Sequence, residues 1–146
     1  MDEGGRCCQA RWQELTKREC FELLSQEHLG RIALVDAWGP IVLPVNFVLD
    51  HHTVVFRTGE GTKLDAASTG PRVAFEVDGT DAPARTGWSV VVRGEAVEVT
   101  EPAELARLRE LSLHPWAPCA GHRYVRILPA ALTGRRISVP SEALPT

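Results

Sequence analysis

Arg57, Thr58, Thr62 and Lys63 fall in one short segment, with Gly59 and Gly61 between them. A guanidinium, an ammonium and two hydroxyls gathered so closely are the groups that hold a phosphate monoester through charge-assisted hydrogen bonds. Thr62 and Asp65 stand three residues apart, a capping box with Asp in place of the usual Glu, so a short helix is expected to start at Lys63. A cation there adds to the positive end of the helix dipole, which is unfavourable unless an anion docks on the free amides. Two readings follow: a phosphate cradle, or two solvated charges beside an ordinary strand-to-helix turn.

Other chemistry is poorly supported. No Ser/His/Asp or Cys/His arrangement presents itself, and the glycine context of Ser89 is not a nucleophile elbow. Cys119 and His122 make a lone C-x-x-H, and two ligands are not a zinc site. His51 and His52 would point to opposite faces if extended, which disfavours joint metal binding. No catalytic side chain and no metal centre is therefore expected. A net charge of -3 without a long basic block argues against nucleic acid as a partner. No apolar run approaches the roughly 20 residues that cross a bilayer, and no basic segment followed by an apolar core opens the chain, so a soluble cytoplasmic protein is expected.

The elements that must position the cluster can be read from periodicity. Ile41 to Leu49 alternates as a strand with both faces largely covered, Asp50 to Thr53 reads as a four-residue connection, and Val54 to Phe56 is the returning strand that ends in Arg57 and Thr58. The helix from Lys63 should stop at Gly70 and Pro71. Upstream, Thr16 and Glu19 form a capping box for a helix ending near His28, and Gly30 to Asp36 is a strand. Downstream, Arg72 to Asp78 and Trp88 to Val99 are strands joined by a polar connection from Gly79 to Gly87, and the interior Gly94 marks a bulge or bend. Thr100 is expected to cap a helix from Glu101 to Leu111, with Tyr124 to Leu128 and Leu132 to Val139 as the last strands. With 146 residues, 44% of them hydrophobic, the chain fits one domain over residues 14–140. Residues 1–13 are expected as a mobile arm and 141–146 as a frayed tail.

Six or seven strands with inserted helices argue for a mainly β protein, a small barrel with short helices. GRIA at Gly30 to Ala33, PVNF at Pro44 to Phe47, RTGEGTKL at Arg57 to Leu64, VAFEVD at Val73 to Asp78, GWSV at Gly87 to Val90 and GRRI at Gly134 to Ile137 occur in that order. This set resembles the pyridoxamine 5'-phosphate oxidase-like, FMN-binding split-barrel proteins over nearly the whole chain beyond the arm.

The resemblance implies a split β-barrel that forms a homodimer with flavin at the subunit interface. It places the FMN phosphate on Arg57, Thr58 and Lys63, with Leu64 beside it, and lines the isoalloxazine with Pro44, Val45 and Asn46. Trp88 and Ser89 would come from the adjoining strand, and Trp116 would close over the ring from the partner subunit. For Trp88 and Trp116 ordinary packing stands as the alternative, and Asn46 could instead satisfy buried backbone groups. The activity implied is a flavin-dependent oxidoreductase acting on a small molecule. The alternatives are an F420-dependent reductase of the same fold and a non-catalytic flavin-binding sensor or carrier.

Overall fold

The structure is a computed structural model that describes residues 11–59, 69–111, 113, 121 and 123–139. Along these residues run β1 (Arg11–Glu14), α1 (Lys17–Ser25), β2 (Leu29–Asp36), β3 (Gly39–Asp50), β4 (Thr53–Thr58), β5 (Thr69–Asp81), β6 (Thr86–Glu98), α2 (Pro102–Arg109) and β7 (Arg123–Ser138). Every pairing is antiparallel, in the order β1-β7-β4-β3-β2-β5-β6, and β6 pairs back onto β7. That last pairing closes six strands into a barrel, with β1 added along the second half of β7.

A closed barrel gives each strand an inner and an outer face. Ile32, Phe47, Phe56, Phe75, Val90, Val125 and Ile127 point inward as one buried core, and Phe47 meets Phe75 edge to face at 4.9 Å between centroids. Helix α1 adds Cys20 and Leu24 to that core. Its start is the expected capping box, with Thr16 Oγ1 accepting from the Glu19 amide and Glu19 accepting from the Thr16 amide. Helix α2 lies outside the barrel, where Leu108 joins Val55, Val99, Leu113 and Tyr124 in a second, smaller core. Among the described residues no helix is long and apolar enough to cross a membrane.

Several boundaries differ from the sequence expectation. Arg11–Glu14, placed mostly in the mobile arm, pairs with β7 from Ser138 to Arg135, and Trp12 lies over the Arg135 guanidinium at 5.7 Å. The connection at Gly79 to Gly87 is largely strand, because β5 and β6 stay paired out to Asp81 and Thr86 whatever their polarity. Gly70 and Pro71 lie inside β5, at a shift of register between Thr69 and Arg72, where a residue without an amide proton is tolerated, and the helix they were expected to end lies outside the described residues. The last two expected strands are one, β7, and its extra residue, Ala130, bulges opposite the Arg93–Gly94 step of β6. Thr100 is not the cap of α2: Glu101 occupies that position without a side-chain cap bond, and Pro102 enters the first turn. The β3–β4 connection is only His51 and His52, both with positive φ, while Asp50 and Thr53 pair as strand residues.

That tight turn is tied to α2 and β7 by an ionic cluster. Asp50, 6% exposed, accepts two bonds from Arg107, at 2.7 and 2.9 Å, and a third from Arg126 at 2.9 Å. Arg126 also donates to Thr53 Oγ1 and Glu104. The bonds from Arg107, then those from Arg126, hold the Asp50 carboxyl down to about 2 against the opposing cost of burial. A carboxylate depressed on folding stabilises the protein fully above its unfolded value and loses that contribution as pH falls through the folded value. Asp50 should therefore contribute about 2 to 3 kcal/mol that disappears between about pH 4 and pH 2. Asp50→Ala should cost about 3 kcal/mol at neutral pH, since it removes the buried carboxylate that Arg107 and Arg126 share, and should flatten that acid limb. Urea unfolding at several pH values measures both, and an unchanged acid limb would contradict the cluster's role. Gly94→Ala places a Cβ 1.8 Å from the Leu128 carbonyl oxygen. It should destabilise by at least about 2 kcal/mol, read in the same experiment.

Candidate functional site

Arg57 and Thr58 end β4, and neighbouring residues on a strand point to opposite faces. Thr58 follows Val54 and Phe56 inward and is 2% exposed, its hydroxyl 3.4 Å from the Gly59 carbonyl oxygen. Arg57 follows Val55 outward. Its Nη2 donates to the Gly121 carbonyl at 2.8 Å, and its guanidinium lies 5.6 Å from the Tyr124 ring centroid, across the β4–β7 pair. Among the described residues, the buried Arg57 Nε has no hydrogen-bond partner. A ligand can meet both side chains only beyond the strand end, where Gly59 begins. Lys63, Leu64 and Trp116, together with Thr62 and the short helix expected to start at Lys63, lie outside the described residues.

The remaining site residues divide by face. Pro44 and Asn46 point outward from β3, whereas the Val45 side chain is buried in the barrel core, leaving only its backbone for a ligand. Asn46 Nδ2 donates to the His28 carbonyl at 3.2 Å, and the Phe47 amide donates to the same oxygen at 3.0 Å. One contact of Asn46 is thus of the backbone-satisfying kind. Ser89 points outward from β6 between Asp78 and Arg135. Trp88 has the opposite parity: it packs against the main core, and its indole covers Gly79, where an added Cβ would sit 2.5 Å from Nε1. That is the packing alternative, and it explains why β5 carries glycine there.

The outward residues form a continuous wall across five strands. Strand register sets Pro44 beside Arg31, Arg31 beside Glu76, Glu76 beside Val91 and Val91 beside Thr133. Asn46 and Ser89 stand on the same wall, two residues further along β3 and β6. Extending the β3–β4 register one residue past Phe47 and Phe56 brings Arg57 next to Asn46. Of the sites drawn from distant segments, Pro44, Asn46, Arg57 and Ser89 therefore share one band of the outer surface.

At the centre of this wall is a charged group that the sequence reading passed over. Arg31 Nη2 bonds Asp78 at 2.7 Å and lies 3.4 Å from Glu76. Desolvation, reinforced by Asp78, raises the Glu76 carboxyl above its usual range, while the bonds from Glu76 and Arg31 lower Asp78. Of the two carboxyls Glu76 is therefore the harder to ionise, beside the Arg31–Asp78 ion pair. The signal was present as charged residues, Arg31, Glu76 and Asp78, inside otherwise apolar strands, GRIALVD and RVAFEVD. Among the described residues no three His, Cys, Asp or Glu side chains gather as a metal site requires.

The chain is 39% identical over 133 residues to an uncharacterized protein of Mycobacterium tuberculosis, covering 88% of this chain and 87% of that protein. The solved structure of the FAD-binding protein from Mycobacterium smegmatis is 39% identical, with a TM-score of 0.75 over 86% of this chain and 98% of the other. An FAD-binding protein from Mesorhizobium loti is 26% identical, with a TM-score of 0.73 over 88% of this chain and 98% of the other. The family model for pyridoxamine 5'-phosphate oxidase matches residues 16–136. The antiparallel barrel is a split barrel of the flavin-binding kind, and the chain belongs to the pyridoxamine 5'-phosphate oxidase family.

Proposed function

We propose that this chain is a homodimeric flavoprotein, an oxidoreductase that acts on a small molecule. The observation that carries the reading is Arg57, fixed at a strand end by the Gly121 carbonyl and the Tyr124 ring, with a buried Nε that meets no acceptor among the described residues. A buried guanidinium donor without an acceptor is costly, and a phosphate oxygen would satisfy it. In this reading Arg57, Thr58 and Lys63 bind the flavin phosphate, with Leu64 beside it. The ring then lies along Pro44, the Val45 backbone, Asn46 and Ser89. Trp88 serves the site from within, by fixing the β5–β6 hairpin that presents Ser89, and Trp116 of the partner subunit shields the ring from water.

When bound, the flavin supplies hydride or electron transfer, and the protein supplies placement and hydrogen bonds. Asn46 and Ser89 orient the ring through polar contacts. FMN and FAD share the phosphate that Arg57 would meet, and the likeness to the FAD-binding protein of M. smegmatis at 39% identity favours FAD as the second reading.

Purification without added cofactor, followed by denaturation and mass spectrometry of the released molecule, distinguishes FMN, FAD and F420. A flavin is expected, and a flavin-free preparation whose apoprotein binds neither FMN nor FAD would refute the proposal. Reduction of the bound flavin by NADH or NADPH, with turnover, separates an enzyme from a sensor or carrier. Lys63→Ala should weaken flavin binding about 10- to 100-fold, the loss of one charge-assisted bond, with little change in apoprotein melting temperature. Equal affinities for variant and parent in a fluorescence titration would remove Lys63 from the site.

A further inference from the structure

The turn between β2 and β3 presents Trp38 to solvent at 95% exposure, flanked by the exposed Val35 and Val42. The turn is stiff: the Trp38 amide donates to Asp36 Oδ1 at 2.8 Å, and Gly39 takes a φ of 117° that an L side chain would resist. A large, rigid, fully exposed indole is an anchor without a socket in its own chain.

A socket of suitable chemistry lies on the same outer wall. Arg72, Ala74, Arg93, Leu128, Pro129 and Ala131 line a groove of about 620 Å³ where the bulge in β7 opens the wall. Its floor is small and apolar. Strand register continues that floor to the turn, because Ala131 neighbours Arg93, Arg93 neighbours Ala74, Ala74 neighbours Ala33 and Ala33 neighbours Val42. Arg72 and Arg93 form no hydrogen bond or ion pair among the described residues. From Val35 to Val42 the turn carries one charge, that of Asp36, while the groove has two arginines against Glu95. The two surfaces are complementary in sign, and guanidinium groups suit the faces of an indole.

We infer that the occupant of the groove is Trp38 of a second copy of this chain. An anchor and a socket on one wall are self-complementary, so a two-fold axis through that wall makes the contact twice. Two indoles bury about 300 to 500 Å². The apolar row of Val42, Ala33, Ala74 and Ala131 supplies further area toward the roughly 1,200 Å² or more of a stable interface. This contact rests on the dimer proposed above and not on the flavin.

Sedimentation equilibrium of the full chain, with flavin content measured in each sample, tests it. The parent should be dimeric. Trp38→Glu and, separately, Ala131→Arg should each weaken the dimer about 100-fold, as loss of a tryptophan anchor does. An equimolar mixture of the two variants should recover a heterodimer tighter than either alone, since one intact anchor then meets one intact socket. Trp38→Ala, checked for an unchanged melting temperature, replaces Trp38→Glu should that variant misfold. A monomeric parent, a Trp38 variant as dimeric as the parent, or a mixture no tighter than its components would overturn the inference. A colourless dimer that depends on Trp38 would leave this contact standing while refuting the flavin reading. A yellow dimer indifferent to Trp38 would do the reverse.

Discussion

Closure of the sheet through β7 is the constraint on which the remaining structure depends. One strand of sixteen residues pairs with β6 along nearly its whole length, with β4 along its first half and with β1 along its second. It can do so only because Ala130 bulges opposite Gly94, where the Leu128 carbonyl leaves no space for a side chain. Once the barrel is closed, residue parity decides what each side chain can reach. Interior positions are filled by Phe47, Phe56, Phe75 and the valines, and chemistry is confined to outer walls and strand ends.

The two outer walls have different fates. Over β4 and the first half of β7, helix α2 covers Val55 and Tyr124, and the Asp50 cluster ties that helix to the β3–β4 turn. The wall from β3 to the second half of β7 has no such helix among the described residues. It carries polar groups at one end, Asn46, Ser89 and the Arg31, Glu76 and Asp78 cluster, and apolar residues with two arginines at the other. Arg57 stands where the covered and open walls meet, half-buried and with a donor that meets no acceptor among the described residues. A flavin at the polar end and a second subunit at the apolar end would occupy the open wall without competing for it.

What the sequence made legible was whatever depends on neighbours in the chain. The Thr16 capping box, the alternation of Gly30 to Asp36 and of Arg72 to Asp78, and the break at Gly94 are local signals, and the structure contains all of them. Features set by distant partners were harder to read. Arg11–Glu14 is too short to show a period and becomes a strand only because β7 offers it an edge. Asp50 looked like a turn residue, since its partners Arg107 and Arg126 are 57 and 76 positions away. The resemblance placed Val45 and Trp88 at the ring, but strand parity turns both side chains toward the core, a consequence of register that no motif states. Conversely, Arg57, Asn46 and Ser89 were chosen from three separate segments, and barrel closure sets them on one face.

The central claim is that this face receives the flavin. Amide hydrogen exchange of the apoprotein with and without saturating FMN or FAD measures it residue by residue. The account predicts slowed exchange together at the end of β4 around Arg57 and Gly59, at Asn46 of β3 and at Ser89 of β6, with α2 unaffected. Slowed exchange confined to α1 or α2, or no change at those three strands under saturating flavin, would contradict it.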